Sequence, residues 1–269
     1  IPVAHIEAGL RSFWKAMPEE QNRIVADHLS EWLFCPSETA RRNLEREGIT
    51  EGVHVVGEIM LDASLHYRKI VEGDLAQGRA RVPRLFGPGA EGEPPEDFCL
   101  LTIHRAENTD DPARLRSFVT GLAGAARPVV FPVHPRTRKK LAEYGISLPP
   151  QIRPIEPVSY LEMLELELRS SVIVTDSGGV QKEAYFLRKP CVTLREQTEW
   201  TETVESGWNR LVGADTEAIR AAVSTASPPA SHPACYGEGR SGEKILELLS
   251  GQASGVQVTL ALEPLRRAG

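Results

Sequence analysis

The chain has 269 residues, of which 41% are hydrophobic and 25% are charged, and its formal net charge is −6. This length exceeds the ~100–150 residues of one ordinary core and fits one large domain or two smaller ones. The acidic balance argues against a nucleic-acid-binding surface, and no apolar run approaches the ~20 residues that span a bilayer. We therefore expect a soluble cytoplasmic protein with no membrane or nucleic-acid partner.

Short apolar runs alternate along the chain with segments that carry helix start signals. Continuous apolar residues are typical of strands buried on both faces of a sheet. The predicted strands cover residues 2–6, 32–35, 53–56, 98–103, 129–133, 172–175, 191–194 and 210–212. Helices are predicted after Ser37, after Ser159 and at the Asp215-Thr216 pair, because these residue types are favoured at helix N-caps. This alternation indicates a doubly wound α/β fold with parallel sheets.

Residues 73–97 interrupt the alternation. The segment contains GPGAEGEPPED and no sustained apolar period, which indicates a surface loop or a domain junction. About three predicted strands precede it and about five follow it, and the first begins almost at Ile1. We therefore expect the sequence to start partway into a first domain (1–72) and to continue into a second domain (73–240). The remainder (241–269) is predicted to be a helix that crosses back to the first domain, followed by a tail.

The cysteines are expected to serve packing. Cys35, Cys99, Cys191 and Cys235 lie far apart and lack the paired spacing of zinc ligands. Three of them lie in or beside apolar runs, where a thiol behaves as a small buried hydrophobic group. We expect no metal site.

The clearest candidate ligand site follows the predicted strand at 172–175. The strand runs into Ser177, Gly178 and Gly179, and a helix follows. Glycines allow the backbone to approach a ligand closely, and the free N–H groups at a helix start favour a phosphate. A plain strand-to-helix turn would carry the same glycines, so the spacing leaves both interpretations open. Glu183, about one turn into this helix, is a candidate for contact with a ribose hydroxyl.

A second polar cluster follows the predicted strand at 98–103. His104 can exchange protons near neutral pH, and Arg105 can hold a phosphate in a planar fork. We expect both to contact a ligand, with a capping or loop role as the alternative. His134 follows the next strand in a comparable position, where a His-Pro turn that caps a helix is as good an explanation as substrate contact.

Two carboxylates near the N-terminus complete the candidate chemistry. Glu7 ends the first predicted strand, and Glu19 lies in the first turn of a helix that MPEEQNR opens. Acidic residues in a first turn complement the helix dipole, so capping is the simple explanation of Glu19. If the loop between them folds back, both carboxylates project into one cleft. Two carboxylates that face a histidine across a cleft form a general acid/base set.

Six motifs in order carry a family resemblance: HIEAGLRS, MPEEQNR, TIHRAENTDDP, PVHPRTRK, TDSGGVQKEA and KPCVTLREQTEWTETVESGWNRLVG. Over residues 1 to about 250 the sequence closely resembles the non-hydrolysing UDP-N-acetylglucosamine 2-epimerases. The resemblance implies two Rossmann-like domains, similar to type-B glycosyltransferases, with a UDP-sugar between them. It also implies a homodimer in polysaccharide biosynthesis that uses no cofactor.

The resemblance further implies a role for each matching residue. Glu7 and Glu19 would be the acid/base carboxylates, and His104 would lie near the diphosphate and the leaving oxygen. The substrate-binding residues would be Arg105, His134, the phosphate-binding Ser177, Gly178 and Gly179, the ribose-binding Glu183 and the nucleotide-binding Arg195. The family reaction inverts C2 of the sugar: UDP is eliminated to give a 2-acetamidoglucal and is then added back to its other face.

The sequence also departs from the family pattern. Functional residues that the family places upstream of the HIEAGLRS strand have no counterpart here. Val158 and Met163 stand where some members have Gln and Phe near the base pocket, and residues 13–15 replace a more polar loop. The alternative functions are a UDP-binding protein without turnover and a hydrolysing epimerase that releases N-acetylmannosamine and UDP. The motifs fit UDP-N-acetylglucosamine and UDP-2,3-diacetamido-glucuronate equally.

Overall fold

The chain forms two parallel sheets in the computed structural model, which describes residues 1–15, 17–82 and 95–252. The strands are β1 (Ala4–Ile6), β2 (Trp32–Cys35), β3 (Val53–Val55), β4 (Cys99–Thr102), β5 (Val129–Pro132), β6 (Ile152–Ile155), β7 (Val172–Thr175), β8 (Cys191–Thr193) and β9 (Asn209–Leu211). One sheet has the order β1-β2-β3, and the other has the order β6-β5-β4-β7-β8-β9. The predicted α/β fold with parallel sheets is confirmed.

Helices connect the strands, and their starts follow the predicted caps. They are α1 (Pro18–Leu29), α2 (Glu38–Arg46), α3 (Ile59–Ala76), α4 (Ala106–Thr109), α5 (Pro112–Ala123), α6 (Pro135–Glu143), α7 (Tyr160–Arg169), α8 (Gly178–Phe186), α9 (Thr201–Glu205), α10 (Thr216–Thr225) and α11 (Ser241–Gln252). Ser37 and Asp215 accept hydrogen bonds from backbone N–H groups at the starts of α2 and α10. Ser159 and Glu162 form a capping box at the start of α7. No helix in the described ranges combines the length and the apolar character needed to cross a membrane.

The strand order of the larger sheet reverses between β4 and β7. Thr102 and Thr175, the last residues of these two strands, are register partners whose hydroxyl oxygens lie 2.5 Å apart. Doubly wound sheets bind ligands in the crevice that opens beyond the carboxyl ends of the strands at this reversal. The segments that begin at His104 and Asp176 therefore start side by side in the crevice.

Two strands differ from the prediction. β6 was not predicted, because Pro154 interrupts a short run of which only Ile152 and Ile155 are buried. It lies at an edge of its sheet, where a proline is tolerated because its missing N–H has no partner strand to serve. β1 was expected to be buried on both faces, and this was wrong: Ile6 is 44% exposed, because β1 is an edge strand of the described sheet.

The segment between the two sheets also starts later than expected. Helix α3 continues to Ala76, so the predicted boundary between residues 72 and 73 falls inside it. Residues 83–94 of the predicted loop and the predicted tail after residue 252 lie outside the described residues. At the other end of the chain, Asp62 of α3 accepts hydrogen bonds from the backbone N–H groups of Ser241 (3.0 Å) and Gly242 (2.8 Å). Helix α11 is thus capped by a side chain of α3.

Packing explains the cysteines. Cys35, Cys99 and Cys191 are buried, and burial raises the pKa of their thiols to about 12, 11 and 12 respectively. Thiols with a raised pKa stay protonated and are poor nucleophiles. Within the described residues no group of three or more His, Cys, Asp or Glu side chains is placed to hold a metal ion.

Candidate active site

Asp176 ties together the two loops at the strand reversal. Its carboxylate is fully buried and accepts hydrogen bonds from the backbone N–H groups of His104 (3.1 Å) and Arg105 (3.0 Å). The side-chain amide of Asn108 donates a third bond, at 3.1 Å. The loop after β4 is therefore held by the residue that follows β7. Sequence analysis gave Asp176 no role, although a lone carboxylate between a buried strand and a glycine turn signals a residue that binds backbone N–H groups.

Hydrogen-bond donors surround the first turn of α8. Ser177 caps the helix by accepting a bond from the N–H of Val180 at 3.4 Å, and Gly178 and Gly179 follow it. A Cβ added to Gly178 would lie 3.5 Å from Trp200 Nε1 and 3.8 Å from Arg105 Nη2. The helix N-terminus, an indole N–H and a guanidinium group thus lie around one glycine. This arrangement suits a phosphate.

The two predicted histidines lie close together. The ring centroids of His104 and His134 are 5.8 Å apart, and both residues line a slot of about 160 Å³ whose other walls include Val158 and Met163. His134 also caps α6, because its Nδ1 accepts a bond from the N–H of Arg136 at 3.2 Å. The capping role is thus observed, and it leaves the ring against the slot.

Glu19 shares a larger cavity with His104. This cavity has a volume of about 510 Å³ and is lined by Trp14, Met17, Pro18, Glu19, His104, Arg105, Ala106 and Glu107. The neighbouring Glu20 points elsewhere: it is buried and accepts bonds from the backbone N–H groups of Ser12 (2.8 Å) and Phe13 (3.0 Å). Glu19 therefore lines the cavity, whereas Glu20 binds the preceding loop.

The turn after β1 anchors the other end of α1. A Cβ on Gly9, which has a φ of +77°, would lie 2.3 Å from the carbonyl oxygen of Ala40, so only glycine fits there. The N–H of Gly9 donates to Asp27 of α1 at 3.1 Å, and Arg11 pairs with the same carboxylate at 2.7 Å. Because Asp27 and Glu20 hold both ends of α1, the position of Glu19 is fixed.

Glu7 is placed against α8. It has a φ of +68°, a left-handed conformation that is strained for a residue with a side chain and is typical of functional sites. Its Oε1 accepts a bond from Lys182 Nζ at 2.6 Å. Burial alone would raise the pKa of Glu7, but the Lys182 ammonium group outweighs it and the pKa is lowered. The structure thus joins Glu19 and His104 in one cavity and places Glu7 beside Lys182, outside the lining of that cavity.

Comparison with known proteins establishes the family. The family profile described as UDP-N-acetylglucosamine 2-epimerase matches residues 1–250. The chain belongs to this epimerase family. A UDP-N-acetylglucosamine 2-epimerase homolog of Methanococcus maripaludis is 45% identical over 254 residues, which cover 93% of this chain and 69% of the relative. A UDP-2,3-diacetamido-2,3-dideoxy-D-glucuronate 2-epimerase of Pseudomonas aeruginosa is 45% identical over 258 residues, 93% of this chain and 68% of the relative.

A solved structure of the family matches the fold. The UDP-GlcNAc 2-epimerase of Methanocaldococcus jannaschii, crystallised with UDP-GlcNAc and UDP, has a TM-score of 0.82 and 43% identity to this chain. The match covers 93% of this chain and 69% of that structure. The two-sheet α/β architecture of this epimerase-family chain is therefore that of an enzyme crystallised with a UDP-sugar.

Arg195 belongs to a buried charge network of this family member. Its side chain is 2% exposed and pairs with Glu199 at 3.1 Å, and Glu107 lies 3.9 Å from its Nε. Arg23 of α1 also pairs with Glu199, at 3.3 Å. The network links the loops of the larger sheet to α1, and Arg195 lines a cavity of about 310 Å³ with Trp14 and Glu107.

Glu183 of this epimerase-family chain lies beside a second buried carboxyl group. Glu183 is 4% exposed and Glu167 of α7 is fully buried. Burial and the neighbouring charge of Glu183 raise the pKa of Glu167 well above its usual value. Burial raises the pKa of Glu183 to about 7, so the pair keeps a proton near neutral pH.

We expect Glu183→Gln to be more stable than the wild type at pH 8, by roughly 1–3 kcal/mol, and to lose this advantage by pH 5. Because the pKa of Glu183 rises from 4.5 to about 7 on folding, the folded protein holds the extra proton between these values. The wild type therefore loses stability as the pH rises through this window. Urea unfolding at the two pH values measures the difference. An equal effect at both would contradict the assignment.

Proposed function

We propose that this protein epimerises C2 of a UDP-linked 2-acetamido sugar, of the UDP-N-acetylglucosamine to UDP-N-acetylmannosamine type. The observation that carries the proposal is the cavity in which Glu19 and His104 meet, next to the donors around Gly178. An acid/base group thereby lies beside a phosphate-binding turn. Elimination and re-addition of a diphosphate need this combination.

The substrate is proposed to extend from this turn in both directions. The diphosphate lies over Ser177, Gly178 and Gly179 and is held by Arg105. The ribose hydroxyls contact Glu183, which is five residues into α8 from Gly178. The slot beside His134 has apolar walls that suit the face of a pyrimidine ring. Arg195 supports the nucleotide through Glu107 and the rim of the cavity.

Each half of the reaction moves one proton and two electron pairs. In the first half, a carboxylate takes the C2 proton, the C–H electrons form the C1–C2 double bond, and the C1–O bond breaks with its electrons on the diphosphate. In the second half the glucal presents its other face, the second carboxyl group donates a proton to C2, and the diphosphate oxygen bonds again to C1. Glu7 and Glu19 are the proposed pair, and His104 and Arg105 stabilise the charge on the leaving diphosphate.

His104→Asn in the full-length protein is expected to lower turnover at least tenfold while changing the affinity for the substrate less than threefold. The imidazole stabilises charge that develops only as UDP leaves, so its loss affects the transition state more than the bound substrate. The backbone bond from His104 to Asp176 does not depend on the side chain, and the loop should keep its shape. Steady-state kinetics and UDP calorimetry make the comparison, and near-normal turnover would assign His104 to packing.

Proton NMR of the full-length protein in D2O tests the proposal. Conversion of UDP-N-acetylglucosamine with deuterium at C2 of the product is the expected result. Release of free N-acetylmannosamine and UDP would identify a hydrolysing epimerase, and binding without exchange would identify a UDP-binding protein without turnover. Because a relative that is 45% identical is named as a UDP-2,3-diacetamido-2,3-dideoxy-D-glucuronate 2-epimerase, this sugar nucleotide is the second candidate substrate and is assayed in parallel.

We further propose that the protein works as a cytoplasmic homodimer in polysaccharide biosynthesis, with one domain division after α3 and another near residue 240. The family resemblance supports these assignments. Sedimentation of the full-length protein at two concentrations tests the dimer.

A further inference from the structure

Lys182 is a nearly buried cation that the proposed reaction has not yet used. It lies on α8, one turn beyond the glycines of the proposed phosphate site, and its side chain is 5% exposed. Its ammonium group donates to Glu7 Oε1 at 2.6 Å and to Glu58 Oε1 at 3.0 Å. It also lies 4.1 Å from the ring centroid of Trp200. One ammonium group thus joins the end of β1, the start of α3 and α8.

A buried ammonium group is costly unless it is paired and hydrogen-bonded. Here two carboxylates and an aromatic face surround it, and the two carboxylates are not equivalent. Glu58 is fully buried, and burial raises its pKa to about 7. Glu7 is one third exposed, and Lys182 outweighs burial to lower its pKa. The ammonium group of Lys182 also lies closer to Glu7 (2.6 Å) than to Glu58 (3.0 Å).

We propose that Lys182 is a positioning residue for the acid/base carboxylate Glu7, which it holds ionised and ties to the helix that carries the phosphate-binding turn. The proposal rests on the proposed function, in which Glu7 exchanges the C2 proton. Through Lys182, the carboxylate of Glu7 is held in position relative to the diphosphate site on α8. A residue with a φ of +68° needs such a contact to hold its side chain in one place.

Glu58 has a distinct part in this arrangement. When Glu7 takes a proton from C2, its attraction for Lys182 falls. Glu58 still accepts a hydrogen bond from Lys182 at 3.0 Å, so the buried ammonium group keeps a hydrogen-bond acceptor in both protonation states of Glu7. Glu58 Oε2 has no hydrogen-bond partner among the described residues, so Lys182 is the main group that favours the ionised form of Glu58.

The charged groups around this cluster set the expected direction of its pH response. Glu7 faces Lys182, Glu58 and Arg23, and Glu58 faces Lys182 and Glu7. Lys182 also acts on Glu183. Loss of Lys182 removes the largest positive charge near Glu7 and raises its pKa. Glu58 does not raise the pKa of Glu7, so loss of the Glu58 carboxyl group should leave that pKa near its wild-type position.

Two substitutions with different expected effects test the proposal. The pH dependence of kcat/KM for epimerisation is measured from pH 3 to 8 for the wild type, Lys182→Met and Glu58→Gln in the full-length protein. The acidic limb is expected to move up by about one pH unit in Lys182→Met, because a nearby opposite charge shifts a carboxyl pKa by that order. It is expected to stay near its wild-type position in Glu58→Gln. In Lys182→Met kcat should fall at least tenfold, and KM should change less than threefold.

Further variants separate positioning from folding. Lys182→Arg restores a cation and should return the acidic limb to its wild-type position. If Lys182→Met fails to fold, the double variant Lys182→Met with Glu58→Gln removes the buried pair together and should show the upward shift. Lys189→Met is the matched control, because Lys189 is a partly buried lysine just after α8 that donates to the carbonyl of Ser170 at 2.8 Å.

Each outcome bears on one claim. An unchanged acidic limb in Lys182→Met and in the double variant would overturn the proposal, and so would a shift of the same size in Lys189→Met. A wild type that exchanges no proton at C2 would overturn the proposed function itself. The pH profiles of an active wild type test only the role of Lys182.

Discussion

Glu7→Gln and Glu19→Gln in the full-length protein are each expected to lower turnover ~10²-fold or more. Gln keeps the size of Glu and can still accept a bond from Lys182, but it cannot take or give the C2 proton. Steady-state assays of UDP-N-acetylglucosamine epimerisation measure the loss. The double variant should be far less than multiplicatively worse, because groups that act on one centre are non-additive.

Glu38→Gln is the matched control for Glu19→Gln. Glu38 is an exposed acidic residue in the first turn of α2, as Glu19 is in the first turn of α1. If Glu19 only complements a helix dipole, the two substitutions should have similar small effects on stability and none on turnover. That result would remove Glu19 from the reaction.

Gly178→Ala is expected to weaken UDP binding at least tenfold and to leave the fold intact. The added Cβ has room in the free protein, because its nearest neighbours would lie at 3.5 and 3.8 Å. It would occupy the space in which a phosphate approaches the backbone N–H groups of α8. Calorimetry with UDP measures the affinity, and thermal unfolding checks the fold.

Gly73→Ala is the control for this substitution. Gly73 lies within α3 and has no atom within 4 Å of its added Cβ, so alanine there should affect neither UDP affinity nor the fold. Equal UDP affinity in Gly178→Ala and the wild type would exclude the Ser177-Gly178-Gly179 turn as the phosphate site.

The polar clusters of the site were predictable because they follow strands. Buried apolar runs located β7 with the bounds that the structure has and β4 within one residue at each end. The residues after a strand must lie at its carboxyl end, so His104 and Ser177 could be placed near the ligand crevice without knowledge of the strand order. The helix caps at Ser37 and Asp215 were also predictable, because a cap depends on residues that are close together in the sequence.

The contacts that hold the site together were not predictable. Asp176 serves N–H groups 71 and 72 residues away, and Lys182 binds carboxylates 124 and 175 residues away. The identity of such partners depends on how the sheets pack, which strand periodicity does not encode. The sequence alone therefore could not distinguish Lys182 from an exposed helical lysine. β6 was missed for a related reason. A proline in the sequence argues against a strand, but it is tolerated in a strand at the edge of a sheet, and the edge position depends on the fold.

The different roles of Glu19 and Glu20 limit the sequence changes that this site can tolerate. Successive residues of a helix point about 100° apart, so moving the start of α1 by one residue would put one glutamate in the place of the other and leave the vacated position to Pro18 or Gln21. Pro18 at the first helical position holds that start in place, because proline is favoured there and poorly tolerated further in. Insertions and deletions should therefore accumulate in the loop before Met17, whereas a single-residue shift beyond it should abolish activity even though the composition of the segment is unchanged.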